Sequence, residues 1–260
     1  MNSVALGAAM CLLLVAPALK SEPVAVKQKQ GASRGFLIIR SEAGEMLATG
    51  ELTQVAKTSS SSLVSRLTYR FRDGSIDDET STFTQRGVFR LLRDHHIQKG
   101  PFFPKPADVE VDTTTGTVTS RSVDKDGKEK VETEHMDLPP DLSNGLVAVS
   151  LLNVPPNVAP FKISMLAASG KGRLVKLAIE PIGEQPFLAV GVPRKATVFR
   201  AHIEIGGVAG VVAPLVDKQP DDEMVWILEG AAPVFIRQVG QLYVGGPKVS
   251  VEMAGTTFPR

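Results

Sequence analysis

The stretch SLVSRLTYRFRDGSIDDETSTFTQRGVFRLLRDHH, residues 62–96, decides the fold. In its first part the apolar side chains share one parity: Leu63, Leu67, Tyr69 and Phe71. Four polar residues have the opposite parity: Arg66, Thr68, Arg70 and Arg72. A period of two is typical of a β-strand with one buried face. Asp73-Gly74 is typical of a tight turn, so the chain is predicted to return as a second strand.

The rest of the chain repeats this pattern between glycine- and proline-containing turns. The further predicted strands are residues 35–39, 45–57, 109–111, 117–123, 128–136, 161–167, 173–181, 185–191, 196–205, 208–216, 224–228, 234–239 and 248–253. Such spacing predicts an all-β or β-rich α+β fold, in which an antiparallel meander forms a curved sheet, half-barrel or barrel. Parallel strands would need a helix in each connection, and the sequence offers only one helix.

That helix is predicted near residues 142–153. It follows Leu138-Pro139-Pro140, with Asp141 as a candidate N-cap, and Pro155-Pro156 ends it. Its apolar side chains recur at helical spacing: Leu142, Leu146, Val149 and Leu152. A helix this apolar is predicted to cover the sheet, within one domain of residues 35–260.

The first residues are typical of an export signal. An apolar run over residues 4–15 precedes Ala16-Pro17-Ala18, which predicts a signal peptide of residues 1–18 that is cleaved after Ala18. The first ten residues contain no Lys or Arg, which departs from the usual pattern. Residues 19–34 are polar and are predicted to be a flexible leader. We therefore expect a periplasmic or secreted protein.

The apolar run is too short to span a bilayer, and no second run of about 20 apolar residues follows, so no transmembrane segment is predicted in the mature chain. Cys11 is the only cysteine. It lies inside the apolar run, whereas a lipidated cysteine should follow it; a lipoprotein is the less favoured alternative. Cleavage after Ala18 would leave no thiol for a disulfide or for catalysis.

Composition argues against nucleic acid as a partner. The chain has 29 Lys and Arg against 28 Asp and Glu, a net charge of +1, without the basic stripe of nucleic-acid-binding proteins. Aromatic residues make up 5%, which leaves few platforms for stacking bases or sugars. No dinucleotide fingerprint, phosphate-binding loop or serine-hydrolase motif is present, and no cofactor is predicted.

The histidines are weak metal candidates: His95, His96 and His135. Adjacent residues of a strand point to opposite faces, so His95 and His96 are not expected to share one ion. His202 is predicted on the solvent face. No metal site is therefore predicted.

Carboxylates cluster at residues 73–79, with three in succession at 77–79, and again at residues 221–223. Paired carboxylates serve acid–base catalysis, and they also bind calcium, although the regular spacing of a calcium loop is absent. Clusters of this kind usually lie in solvated turns, and that is the expectation here.

Arginines on the two central strands form a further candidate site. If these strands pair, they create a cationic stripe able to hold an anionic head group or an acidic polymer. The stripe consists of Arg66, Arg70, Arg72, Arg86, Arg90 and Arg93. The alternative is that they are ordinary outward strand residues balanced by Asp and Glu.

Several segments resemble a group of exported bacterial proteins of unknown function. They are FRDGSIDDET (71–80), FRLLRDHHIQKG (89–100), LPPDL (138–142), GGVAGVVAPL (206–215) and KQP (218–220). The resemblance covers most of the mature chain and implies no activity. In strand order the chain is also similar to half-barrel carriers of lipids and lipoproteins, a likeness of fold alone.

These observations favour a non-enzymatic exported binding protein that holds a lipid or other hydrophobic ligand under a curved sheet. The candidate ligand-binding residues are Arg66, Arg70, Arg90, Leu146 and Val149. One alternative is a structural or accessory envelope protein with a packed core and a protein partner. The other is a hydrolase that uses the acidic cluster with His95 or His96.

Overall fold

Residues 62–96 form three adjacent strands in the interior of a long antiparallel sheet. The structure is a computed structural model that describes residues 21–57, 61–123, 126–167, 172–204 and 220–258. Its elements are β1 (Ser33–Ser41), β2 (Met46–Lys57), β3 (Ser62–Phe71), β4 (Ile76–Arg86), β5 (Val88–Lys99), β6 (Ala107–Asp112), β7 (Thr117–Val123), β8 (Glu129–His135), α1 (Val147–Leu151), β9 (Phe161–Ala167), β10 (Arg173–Ala189), β11 (Val192–Glu204), β12 (Glu223–Leu228), β13 (Val234–Gln241), β14 (Lys248–Met253) and β15 (Thr256–Thr257).

The described strands belong to one 15-stranded sheet, and every strand pair in it is antiparallel. The order is β15-β10-β11-β12-β13-β14-β1-β2-β3-β4-β5-β6-β7-β8, with β9 paired to β10. No pairing joins the two ends of this order within the described part of the chain. The predicted antiparallel, curved and barrel-like sheet is confirmed.

Strand β3 has the alternation that the sequence predicted. Leu63 is 0% exposed, and Tyr69 and Phe71 are also buried, whereas Arg66 and Arg70 are exposed on the other face. Burial of one apolar face stabilises the sheet by about 25 cal/mol for each Å² removed from water.

Two predicted strands merge into one. Residues 173–181 and 185–189 lie in the single strand β10, which continues through an irregularity between Pro181 and Gly183, and residues 190–191 form the turn that follows. A bulge bends a strand without ending it, so the glycine and proline that suggested a break mark a bend. The predicted strand at residues 208–216 and the predicted signal peptide lie outside the described residues.

The predicted helix is shorter than expected, and it lies inside the curved sheet. Helix α1 has five residues and no side-chain cap. Residues 138–154, here called the plug, place Leu142, Leu146 and Val149 in an apolar cluster with residues of strands β3 to β7 and β9. These three side chains recur at helical spacing although no long amphipathic helix is present. They are buried because strands enclose the plug on several sides.

Gly145 lets the plug approach strand β4. Its φ is +64°, a left-handed conformation that favours glycine. A Cβ at this position would overlap Ser81 Oγ and would lie 3.2 Å from Asp94 Oδ1. The plug backbone therefore rests directly on two buried polar side chains of the sheet.

Residues 21–30, here called the N-terminal arm, lie against the folded body in place of the predicted flexible leader. The Val26 amide donates to the Gly87 carbonyl over 2.9 Å, and the Phe89 amide donates to the Val24 carbonyl over 2.9 Å. The side chain of Asn153 in the plug accepts hydrogen bonds from two arm amides. The arm is ordered because it supplies apolar side chains to the core and satisfies buried polar groups.

A polar network joins the arm, the plug and strand β9. Asp141 is buried and accepts hydrogen bonds from Ser21 and from Ser164, the latter over 2.8 Å. Lys176 Nζ lies 3.4 Å from Asp141 Oδ2 and 2.6 Å from Ser164 Oγ. Burial opposes ionisation of Asp141, but these hydrogen bonds and the lysine charge outweigh it and lower its pKa. Asp141 therefore anchors the plug and does not cap the helix.

In the described part of the chain, no helix combines the length and the apolar character that crossing a bilayer requires.

Candidate functional site

Strand β4 turns its acidic residues to alternate faces of the sheet. Asp78 points outward, where its carboxylate accepts hydrogen bonds from Arg66 over 3.0 and 2.6 Å. This pairing lowers the pKa of Asp78. Asp77 and Glu79 share the inward parity with buried Phe83. The expectation that the cluster lies in a solvated turn is therefore wrong for the inward pair.

Strand β5 places polar side chains opposite them. His96 Nε2 lies 2.8 Å from Asp77 Oδ1, and the Gln98 amide donates to Asp77 Oδ2 over 2.9 Å. Ser81 donates to Asp94 Oδ1 over 2.7 Å. The register pairs His96 with Glu79 directly. The result is an inward acid–base cluster, defined here as Asp77, Glu79, Asp94 and His96.

The environment shifts the protonation of this cluster. Burial, followed by the charges of Asp94 and Asp77, raises the pKa of Glu79 to about 8, although His96 opposes the rise. Burial opposes charging of His96, but its hydrogen bond to Asp77 and the neighbouring carboxylates raise its pKa to about 9. Both shifts favour the protonated forms, which are neutral Glu79 and cationic His96.

One row of inward side chains keeps accessible surface. The register aligns Leu52, Leu67, Glu79 and His96 across strands β2 to β5. All four are half-buried, and the His96 side chain is 24% exposed. This set is called the inward row below.

The rows on both sides of the inward row are fully packed. One consists of Gly50, Tyr69, Asp77 and Gln98. The other consists of Gln54, Ser65, Ser81 and Asp94. Every member of both rows is buried. Glu79 also has no hydrogen-bond partner in the described structure, although it lies among ionisable groups. The inward row thus combines aliphatic surface with an unpaired carboxyl group and an imidazolium, which suits an amphipathic ligand.

The metal candidates do not converge. His95 points outward, and its Nε2 lies 2.9 Å from Asp108 Oδ1. His96 points inward, as the opposite parity requires, and His135 is exposed at the end of β8, beyond β6 and β7. Among the described residues, no group of three or more His, Cys, Asp and Glu side chains could hold a metal ion. His202 is exposed, as predicted, and its Nδ1 lies 2.6 Å from Asp222 Oδ1.

The predicted ligand-binding residues lie on opposite sides of the sheet. Arg66, Arg70 and Arg90 are exposed on the outer face. Leu146 and Val149 are 1% and 6% exposed in the core. They cannot line one pocket, because the sheet separates the arginines from the plug.

Two surface clefts differ from the predicted apolar groove. The larger, about 470 Å³, is lined by the ion-paired side chains of Glu180, Arg200 and Asp222 and by His202. The second, about 340 Å³, contains Arg40, Arg237 and Glu252, where both arginines face the same carboxylate. Their charges are largely paired within the protein.

Sequence reasoning missed Asp94 as a member of the site, and within the acidic cluster it did not separate the inward Asp77 and Glu79 from the outward Asp78. Ser81, Glu79 and Asp77 have the same strand parity as the apolar Phe83. The sequence alone could therefore have placed them on the buried face of β4. The opposite parity of His95 and His96 was predicted correctly. Which of the two faces inward depends on the irregularity between Thr82 and Phe83, which the sequence does not reveal.

No family model matches the sequence, and no curated protein matches it. Among solved structures, the chain is similar to the crystal structure of a beta-barrel-like protein of domain of unknown function DUF1849 from Brucella abortus. The two chains are 8% identical, and the similarity covers 89% of this chain and 99% of that chain, with a TM-score of 0.48. The fold assignment given above rests on the strand pairing of this chain itself.

Proposed function

We propose that the protein is an exported, non-catalytic binding protein that holds a lipid-like ligand against the inward row. The observation that carries this proposal is that these side chains stay partly accessible between two fully packed rows. A packed core without a ligand would be expected to bury them, because protein interiors leave few voids larger than a water molecule.

The chemistry of the inward row indicates the ligand class. Leu52 and Leu67 present aliphatic surface for an apolar chain. Protonated Glu79 is a hydrogen-bond donor, and charged His96 attracts an acceptor or an anion. A head group such as an ester, carboxylate or phosphate, joined to an apolar chain, would satisfy both parts.

Export is part of the proposal. It rests on the apolar run over residues 4–15 followed by Ala16-Pro17-Ala18, the pattern of a signal peptide that is cleaved after Ala18. The mass of the protein purified from culture tests this directly, because it reports the N-terminus together with any bound molecule.

The proposal predicts that filling the inward row abolishes ligand binding. The test is native mass spectrometry of protein purified gently from its natural cells, followed by extraction and identification of the released molecule. We expect wild type to carry a lipid-like molecule. We expect Leu52→Trp to lower its occupancy by about tenfold or more, which corresponds to ~1.4 kcal/mol or more.

Thr53→Trp is the matched control, because Thr53 is the next residue of β2 and pairs with outward Arg66. It should retain the ligand, and thermal unfolding should show both variants folded. A wild-type protein that carries no molecule would contradict the proposal and favour the accessory envelope protein. Equal occupancy in both variants would contradict the inward row as the site.

The hydrogen bond between His96 and Asp77 beside Glu79 supports a second candidate, a hydrolase in which protonated Glu79 serves as general acid. This candidate predicts turnover of ester or glycoside model substrates by wild type and its loss in Glu79→Gln. A binding protein shows no turnover that depends on Glu79.

A further inference from the structure

The hairpin of β10 and β11 extends beyond its neighbours in the sheet. Strand β9 pairs with β10 only as far as Ile179, and β12 pairs with β11 from Thr197 to Ala201. Residues 182–195, here called the hairpin tip, therefore lie outside these two pairings. Strand β15 pairs with the tip at Leu188 and Ala189, and the residues that flank β15 contact it through the Val190 amide, which donates to the Gly255 carbonyl, and through Phe258, which stacks on Phe187.

The hairpin tip exposes aliphatic side chains at its end. Val190 is 87% exposed, and the exposed fractions of Leu188, Val192 and Ile182 are 40%, 47% and 50%. Single exposed apolar residues are ordinary, but Leu188, Val190 and Val192 follow one another at intervals of two residues around the turn and form an apolar end that suits a partner; Ile182 lies farther from the turn than Lys195.

Val190 also has a strained backbone. Its φ is +48°, in the left-handed region that a β-branched residue rarely adopts. The two-residue turn Val190-Gly191 and the Val190 amide, which donates to the Gly255 carbonyl over 3.0 Å, hold this conformation. The side chain is almost fully exposed, so it adds no packing that would offset the strain. Asn, Asp or Gly would suit the position better, so the valine side chain is best explained by a contact outside the chain.

Basic side chains lie behind the aliphatic end. Arg194 and Lys195 are exposed, and Lys195 follows Val192 by three residues, about 10 Å at ~3.3 Å per residue. The nearest opposite charge is Glu184, 3.7 Å from Lys195, and both side chains are largely exposed. Such exposed pairs are weak and yield readily to other partners.

We propose that the hairpin tip inserts into the surface of an anionic lipid bilayer. The order of its side chains matches the layers of a membrane, with aliphatic groups at the end and cations about one head-group depth behind. A protein partner is disfavoured because the tip exposes no Trp or Tyr, which are enriched in protein hot spots, and Phe187 is buried. This inference stands independently of the ligand proposed for the inward row.

The test is flotation of the full chain with vesicles of phosphatidylcholine, with and without phosphatidylglycerol. Wild type should float with the anionic vesicles and only weakly with the neutral ones. Val190→Asp should reduce the bound fraction by about tenfold or more, because it removes the end of the apolar patch and adds a repelled charge. Arg194→Glu with Lys195→Glu should abolish the preference for anionic lipid.

Val123→Asp is the control, because Val123 is 71% exposed at the end of β7, a strand that pairs with neither β10 nor β11. It should bind as wild type does. Val190→Asp is expected to remain folded, since Asp tolerates a left-handed backbone, and thermal unfolding checks this. Equal binding of Val190→Asp and wild type would overturn the proposal. An absence of vesicle binding by wild type would also overturn the proposal. This includes the outcome in which the tip binds a protein but no vesicle.

Discussion

Replacing Gly145 with alanine is expected to lower the free energy of unfolding by about 2–5 kcal/mol. The new Cβ would force an unfavourable left-handed backbone at φ +64° and overlap Ser81 Oγ. Ser81 cannot move away cheaply, because it is 2% exposed and donates its hydroxyl to buried Asp94. Chemical denaturation in urea measures the change.

Gly127→Ala separates the cost of the left-handed backbone from the cost of the overlap with Ser81. Gly127 has φ +77°, and a Cβ there would meet nothing within 4 Å. This variant carries only the backbone cost, about 1–2 kcal/mol. If the two variants were equally destabilised, the plug would not rest on Ser81 and the described contact would be wrong.

Raising the pH from about 5 to about 9 is expected to destabilise the fold by about 2–5 kcal/mol. The pKa values of Glu79, Glu223 and His96 are raised to about 8, 7 and 9 in the folded protein. Each group binds its proton more tightly when folded than when unfolded. This tighter proton binding stabilises the fold fully at pH values below the pKa of the group in the unfolded chain. The stabilisation is lost as the pH rises through the pKa of the group in the folded protein.

Urea unfolding at several pH values tests the sign. Glu79→Gln should flatten the dependence and should be more stable than wild type at the alkaline end, because Gln cannot ionise. Asp78→Asn is the control from the outer face of the same strand: the pKa of Asp78 is lowered, so this residue stays ionised in both states throughout the range. Stability that is constant or rises with pH would contradict the buried position of the cluster.

The sequence was sufficient for the sheet because strand alternation is a local signal. Leu63, Tyr69 and Phe71 alternate with arginines, and this pattern alone places one face of β3 in the core. Turns such as Asp73-Gly74 then require the next strand to pair antiparallel. The bulge in β10 was not predicted, because glycine and proline mark strand ends and bends alike.

The plug could not be predicted from local pattern. Leu142, Leu146 and Val149 occur at helical spacing, but their burial comes from distant strands that surround them. The ordered N-terminal arm has the same origin, because the Asn153 side chain that binds it is 125 or more residues away along the chain. Long-range contacts of this kind produce no periodic pattern of apolar residues in a polar segment.

The candidate site was predictable only in part. The acidic run and the histidine pair were both singled out, but their meeting required the register of β4 against β5. That register set Asp77 beside His96 and sent Asp78 and His95 to the outer face. Arg66, Arg70, Arg90, Leu146 and Val149 were chosen for charge and apolarity, properties that do not specify which side of a curved sheet a residue occupies.

The most direct test of the proposed function is a crystal structure of the protein purified from its natural cells without detergent or denaturant. We expect electron density for an elongated molecule, with its apolar part against Leu52 and Leu67 and its polar end beside Glu79 and His96. The purification must not have removed bound molecules. If the inward row is then covered only by protein side chains or ordered water, the proposed function is contradicted.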